Sequence, residues 1–174
     1  MKESILSLCR TGLLCAVALV LSVVENTIPT MPFMLPGMKL GLSNIAVMFS
    51  LEVCSLPCAL SVVAVKAIFA LATRGAVAFM MSFFGGICAT LVMFLLVRSN
   101  RLRFGYLGIG VAGAFMHNTG QLLAALLLIS KAVFAYLPVL CVSALVTGAL
   151  TGLVCYFLIP PIKRLPLMEN PYIN

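Results

Sequence analysis

Long apolar runs follow one another through this chain from Thr11 to Ile159, with only short breaks between them. A helix needs about 20 such residues to cross the hydrocarbon core of a bilayer. In lipid every backbone polar group must be satisfied within the protein, which leaves only helices or closed barrels. The runs are continuous rather than alternating, so they predict helices and an all-α membrane protein. Six spans use roughly 120 of the 174 residues, which leaves short loops and no soluble domain. Residues 1–174 are therefore read as a single integral membrane domain. Composition agrees: 63% of residues are hydrophobic and 9% charged, where a soluble domain carries about a quarter charged residues.

The first run, Thr11 to Ile28, follows Lys2 and Arg10. It has the layout of a signal peptide, but no small-x-small cleavage site follows, so it is read as a retained span. Residues 30–41, TMPFMLPGMKLG, form a loop, because Pro29, Pro32 and Pro36 forbid a continuous helix. The second span, Leu42 to Glu52, is short and is expected to be tilted or partly buried. Pro57 opens the third, which ends near Arg74. The fourth runs from Val77 to Val97, the fifth from Leu107 to Ser130 and the sixth from Tyr136 to Ile159, where Pro160 and Pro161 are expected to stop it. Between the fourth and fifth lies the loop RSNRLRFGY, residues 98–106.

The net charge of +7 is scattered, which argues against nucleic acid as a partner and is informative instead about topology. With the N-terminus inside, the inner ends carry Lys2, Arg10, Arg98, Arg101, Arg103, Lys163 and Arg164. The outer ends carry Lys39, Arg74 and Lys131. The inner set is the larger, as the positive-inside rule requires. Six transmembrane helices with both termini cytoplasmic follow. Glu52 then falls at the cytoplasmic end, as a solvated helix terminus.

Small residues mark close helix packing, since association in lipid depends on how near two backbones can approach. Ala144, Gly148 and Gly152 form such a row on the sixth span, and Ser82, Gly86 and Thr90 on the fourth. Gly12 and Ala16, with Ala18 beside them, offer a similar face on the first. The run GYLGIGVAG follows no strand, so it too is read as helix packing rather than a nucleotide loop. The seven cysteines lie in or beside apolar runs and are read as small buried hydrophobes. Cys54 and Cys58 have the i, i+4 spacing of two metal ligands, but no second His or Cys cluster completes a four-ligand site, so no metal is expected.

Polar side chains inside the membrane are costly, which makes each one a functional candidate. On the fifth span, at 100° per residue, Gly110, Gly113, Ala114, Gln121 and Ala124 fall within about 60° of His117. Asn118 lies at the edge of that arc, and bulky apolar residues occupy the far side. His117, Asn118 and Gln121 therefore read as either a ligand-recognition group or a hydrogen-bond knot between helices. Lys66, mid-way along the third span, costs roughly 2.5–3.5 kcal/mol to insert. An ion pair with Glu25 offsets that, as does an anionic ligand or snorkelling to the interface. With Lys39 in the outer loop and Asn44 opening the second span, where helix N–H groups favour anions, an outward-facing site is expected from Glu25, Lys39, Asn44, Lys66, His117, Asn118 and Gln121.

Some chemistry is excluded. No G-x-x-x-x-G-K-[ST] loop is present, so the chain cannot hydrolyse ATP itself. It has no Asp, whereas Mg²⁺-diphosphate chemistry needs several carboxylates. No catalytic activity is expected of the chain alone, and no cofactor.

Four stretches carry a resemblance: LVLSVVENTIP from Leu19, PGMKLGLSNI from Pro36, MSFFGGICATLVM from Met81 and GAFMHNTGQLLAA from Gly113. Through them the sequence resembles the Gx transporter family, also named heptaprenyl diphosphate synthase component I. One departure is Lys66, where the family pattern leads one to expect arginine; the charge is kept and the bidentate fork is lost. The resemblance implies one of two roles. The first is a bundle like the substrate-binding (S) subunits of energy-coupling-factor transporters, in the bacterial inner membrane. Such a subunit captures a small vitamin- or cofactor-like molecule and partners a transmembrane coupling protein and two ATPases. On that reading Gly12, Ala16 and Ala18 are the expected docking face for the coupling protein. The second role is an accessory membrane subunit for making the prenyl diphosphate of menaquinone.

Overall fold

The computed structural model describes residues 2–27, 41–99 and 105–164. Among them the regular structure is entirely helical: α1 Lys2–Thr27, α2 Asn44–Val53, α3 Leu56–Arg74, α4 Ala76–Arg98, α5 Tyr106–Leu128 and α6 Leu137–Lys163, with a 3-10 turn at Lys131–Tyr136 leading into α6. Five helices are long and apolar enough to cross a membrane. The sixth, α2, has 10 residues, or about 15 Å at the α-helical rise, half the thickness of the hydrocarbon core. The chain is a multi-pass membrane protein of the all-α class.

One end of the bundle gathers the start of α1 and the ends of α2 and α6. Lys163 Nζ pairs with Glu52 at 2.6 Å, and Arg10, Cys54 and Ile162 line one groove. Glu52 is thus ion-paired and largely covered rather than a freely solvated terminus; its side chain is 10% exposed. The reversal from α3 to α4 takes one residue, Gly75, at φ +88°, a conformation open to glycine and strained for other residues. Pro160 and Pro161 do not stop the last helix, which continues to Lys163. They remove the N–H donors for the carbonyls of Tyr156 and Phe157. Both of those residues are exposed and lie in the last turns, where few further helical bonds are at stake.

The largest interfaces are α4 with α5 and α5 with α6, and glycine makes both. A methyl group on Gly152 comes within 2.6 Å of Leu107 Cα, and one on Gly110 collides with the Gly148 carbonyl. The α5 and α6 backbones therefore touch. On α4, a methyl on Gly86 comes within 2.6 Å of Val63 Cγ1, and Thr90 is fully buried. The glycine-rich start of α5 serves packing, as Gly110 and Gly113 are closed off by α6 and by Met93. The apolar core joins Ala18, Val47, Met48, Val62, Met93, Ile109 and Ile159, which come from all six helices. Leu8, Leu13, Leu95, Leu127, Val142 and Phe157 point outward, as lipid-facing residues do.

Candidate ligand-binding cavity

His117 occupies the midpoint of α5, and its polar face turns into the bundle. Gln121, one turn on, lies over it: Gln121 Nε2 is 2.6 Å from His117 Nε2. An amide nitrogen only donates, so the imidazole accepts there and carries its proton on Nδ1. That nitrogen rests against the Gly85 backbone without a well-directed bond. Gly85 is what allows α4 this close. A methyl group there comes within 2.8 Å of the His117 carbonyl and 3.0 Å of Gln121 Cγ.

The opposite wall comes from α1, α2 and α3. Glu25, 5% exposed, turns Oε1 to the backbone N–H groups of Gly41 and, at 3.3 Å, Leu42. Gly41 has φ +90°, and a methyl group on it meets Asn44 Nδ2 at 2.9 Å. Glycine is needed here on both counts. The donors at the entry to α2 are thus taken by a carboxylate of the protein itself, and the N–H groups of Asn44 and Ile45 close turns onto Gly41 and Leu42. Lys66 Nζ donates to Asn44 Oδ1 at 3.0 Å.

Together Ser22, Glu25, Gly41, Ser43, Lys66, Arg74, Ser82, His117 and Gln121 enclose a narrow cavity of about 10 Å³, room for about one water molecule. Its charged groups are one carboxylate and two cations. Two deeply buried acceptors at its wall, Glu25 Oε2 and Gln121 Oε1, have no hydrogen-bond partner among the described residues. Buried polar atoms are rarely left so, and each calls for an explanation. Residues 14–158, which span this whole wall, match the family heptaprenyl diphosphate synthase component I.

The chain belongs to that family. No curated protein and no solved structure matched it. Around this cavity the structure places Glu25, Lys66, His117 and Gln121 together, with Asn44 held against Lys66. Asn118 does not join them. It turns to α6, where Nδ2 donates to the Leu140 carbonyl at 2.9 Å and to Ser143 Oγ at 3.0 Å, the geometry of an interhelical knot. Lys39 lies outside the described residues. Of the three small residues on α1, Gly12 and Ala16 are exposed, and a methyl group on Gly12 meets nothing within 4 Å. Ala18 is wholly buried in the core, so it presents no surface to a partner.

The sequence reading of the site missed Ser22, Ser82 and Gly85, and noted Arg74 only as a charge at the outer end of the third span. Ser22 was within reach of it: it stands three residues before Glu25 and shares its helix face. Gly85 has no such signal, since its role depends on which helix α4 packs against. Among the described residues no three His, Cys, Asp or Glu side chains converge as metal ligands do.

Proposed function

We propose that this chain is the membrane-embedded substrate-binding subunit of an energy-coupling-factor-type transporter for a small, anionic, vitamin- or cofactor-like molecule. It works in the bacterial inner membrane with both termini in the cytoplasm. The observation that carries this reading is the polar cavity that reaches from the middle of α3 and α5, at Lys66 and His117, towards the ends of α1 and α3, at Glu25 and Arg74. A helix bundle that has only to reside in lipid gains nothing from burying these groups together, where polar side chains are expensive. The excess of cations over carboxylates around the cavity favours a ligand with negative charge. With so little free volume, the cavity must widen to admit a vitamin-sized molecule. The chain has no nucleotide loop of its own, so release is driven by ATPase partners through a coupling protein. The exposed face of Gly12 and Ala16 on α1 suits close approach by a partner helix.

The family name supports a second reading, a non-catalytic membrane subunit of heptaprenyl diphosphate synthase. One experiment separates the two. Affinity-purified full-length chain, taken from its own membrane in mild detergent, is analysed for bound small molecules by mass spectrometry and for copurified proteins. The transporter reading expects a bound polar metabolite, together with ATPase and coupling subunits. A soluble prenyl synthase subunit in their place, with prenyl elongation restored on mixing, establishes the second reading instead.

A further inference from the structure

The two unpartnered acceptors say more about the ligand, on the reading of the cavity as a binding site. Glu25 Oε1 already receives Gly41 N and Leu42 N, while Glu25 Oε2 has no partner among the described residues. Gln121 commits Nε2 to His117 and leaves Oε1 in the same condition. The two residues are 5% and 2% exposed and line one cavity. A bare carboxylate brings only further acceptors, so it relieves neither atom and is repelled by the Glu25 carboxylate. Lys66 and Arg74, on the same wall, still favour an anionic group.

We propose that the ligand is a small zwitterion, with a hydrogen-bond-donating nitrogen set against Glu25 Oε2 and Gln121 Oε1 and an anionic group against Lys66 and Arg74. A simple anion loses to a molecule of the same size that also carries an ammonium or amide N–H. A single water bridging the two acceptors is the competing occupant, and the cavity has room for one.

Glu25→Gln tests this with little disturbance, because glutamine keeps an oxygen for Gly41 and Leu42 and replaces only the unpartnered oxygen with an NH₂ donor. Small molecules released by denaturing the purified full-length chain are identified by mass spectrometry. The released compound is then titrated against wild type and Glu25→Gln, with thermal stabilisation as the readout. The expected compound bears both a nitrogen donor and an acid group. The expected loss of affinity in Glu25→Gln is roughly tenfold to 150-fold, the range for a hydrogen bond to a charged group. If Glu25→Gln does not accumulate, Gln121→Leu is expected to show a drop of the same order. A released compound that is purely anionic, or one bound equally or more tightly by Glu25→Gln, overturns the zwitterion while leaving the cavity a binding site. If nothing is released, the binding reading itself fails, and the zwitterion with it.

Discussion

Lys66 Nζ donates a 3.0 Å hydrogen bond to Asn44 Oδ1, which joins the middle of α3 to the first residue of α2. The contact gives a buried ammonium a polar partner and places it on the wall of the cavity. Lys66→Met leaves Asn44 Oδ1 without that donor and removes a positive charge. The expected result is a loss of ligand affinity of roughly tenfold to 150-fold, with the protein still present in the membrane. Lys66→Arg is expected to recover most of it, because charge and donor are both kept. Binding and thermal stability measured together check this. A fall in stability with affinity unchanged makes the pair a structural tie only.

Gly85 and Gly120 hold α4 and α5 together beside the cavity. A methyl group on Gly120 comes within 2.8 Å of Gly85 Cα, and one on Gly85 as near to the His117 carbonyl. Gly85→Ala is expected to destabilise the bundle by about 1–3 kcal/mol, the usual range for overpacking, and to shift His117 and Gln121 along with α4. Unfolding in a denaturant series measures the first effect, and ligand titration the second.

Two glycines in comparable helices should respond in opposite ways. Gly152→Leu drives a side chain into the α5 backbone and is expected to abolish accumulation of folded protein. Gly12→Leu adds a side chain where nothing lies within 4 Å, so stability is expected to stay within about 0.5 kcal/mol of wild type. If α1 docks the coupling protein, copurification of that partner is lost in Gly12→Leu and in Ala16→Trp, with ligand binding intact. Retained copurification in both variants means the docking face lies elsewhere.

The charge distribution predicts topology. Reporter fusions after Arg103 and after Asn174 should read cytoplasmic, and a fusion after Gly37 should read external. A cytoplasmic signal after Gly37 reverses the orientation and puts access to the cavity on the other side of the membrane.

The helices were legible in the sequence because lipid leaves the backbone so little choice. The third to fifth spans were bounded to within two residues, with Arg74 and Gly75 marking one of the ends. Pro160 and Pro161 misled, because near a helix end a proline forfeits bonds that water and headgroups can replace. Helical periodicity also found His117, Gln121 and Lys66. It failed at Asn118, which sits at the edge of the polar arc: angle about one axis cannot say whether a residue there faces the cavity or the neighbouring helix, and Leu140 and Ser143 decide it. Nor could it foresee that the anion at the entry to α2 is Glu25, since that depends on Gly41 reaching φ +90°.

The glycine contact between α5 and α6 divides the molecule mechanically. Backbones that touch along Gly110, Gly148 and Gly152 have no side-chain layer to slide on, so these two helices form a stiff spine. On the other flank stands α1, which packs on α2 and α3 through Leu14 and Ala18 and gives the cavity Ser22 and Glu25. The cavity therefore has one wall whose spacing is fixed by backbone contact and another whose spacing is set by side chains, so only the second can be retuned by changing side-chain size.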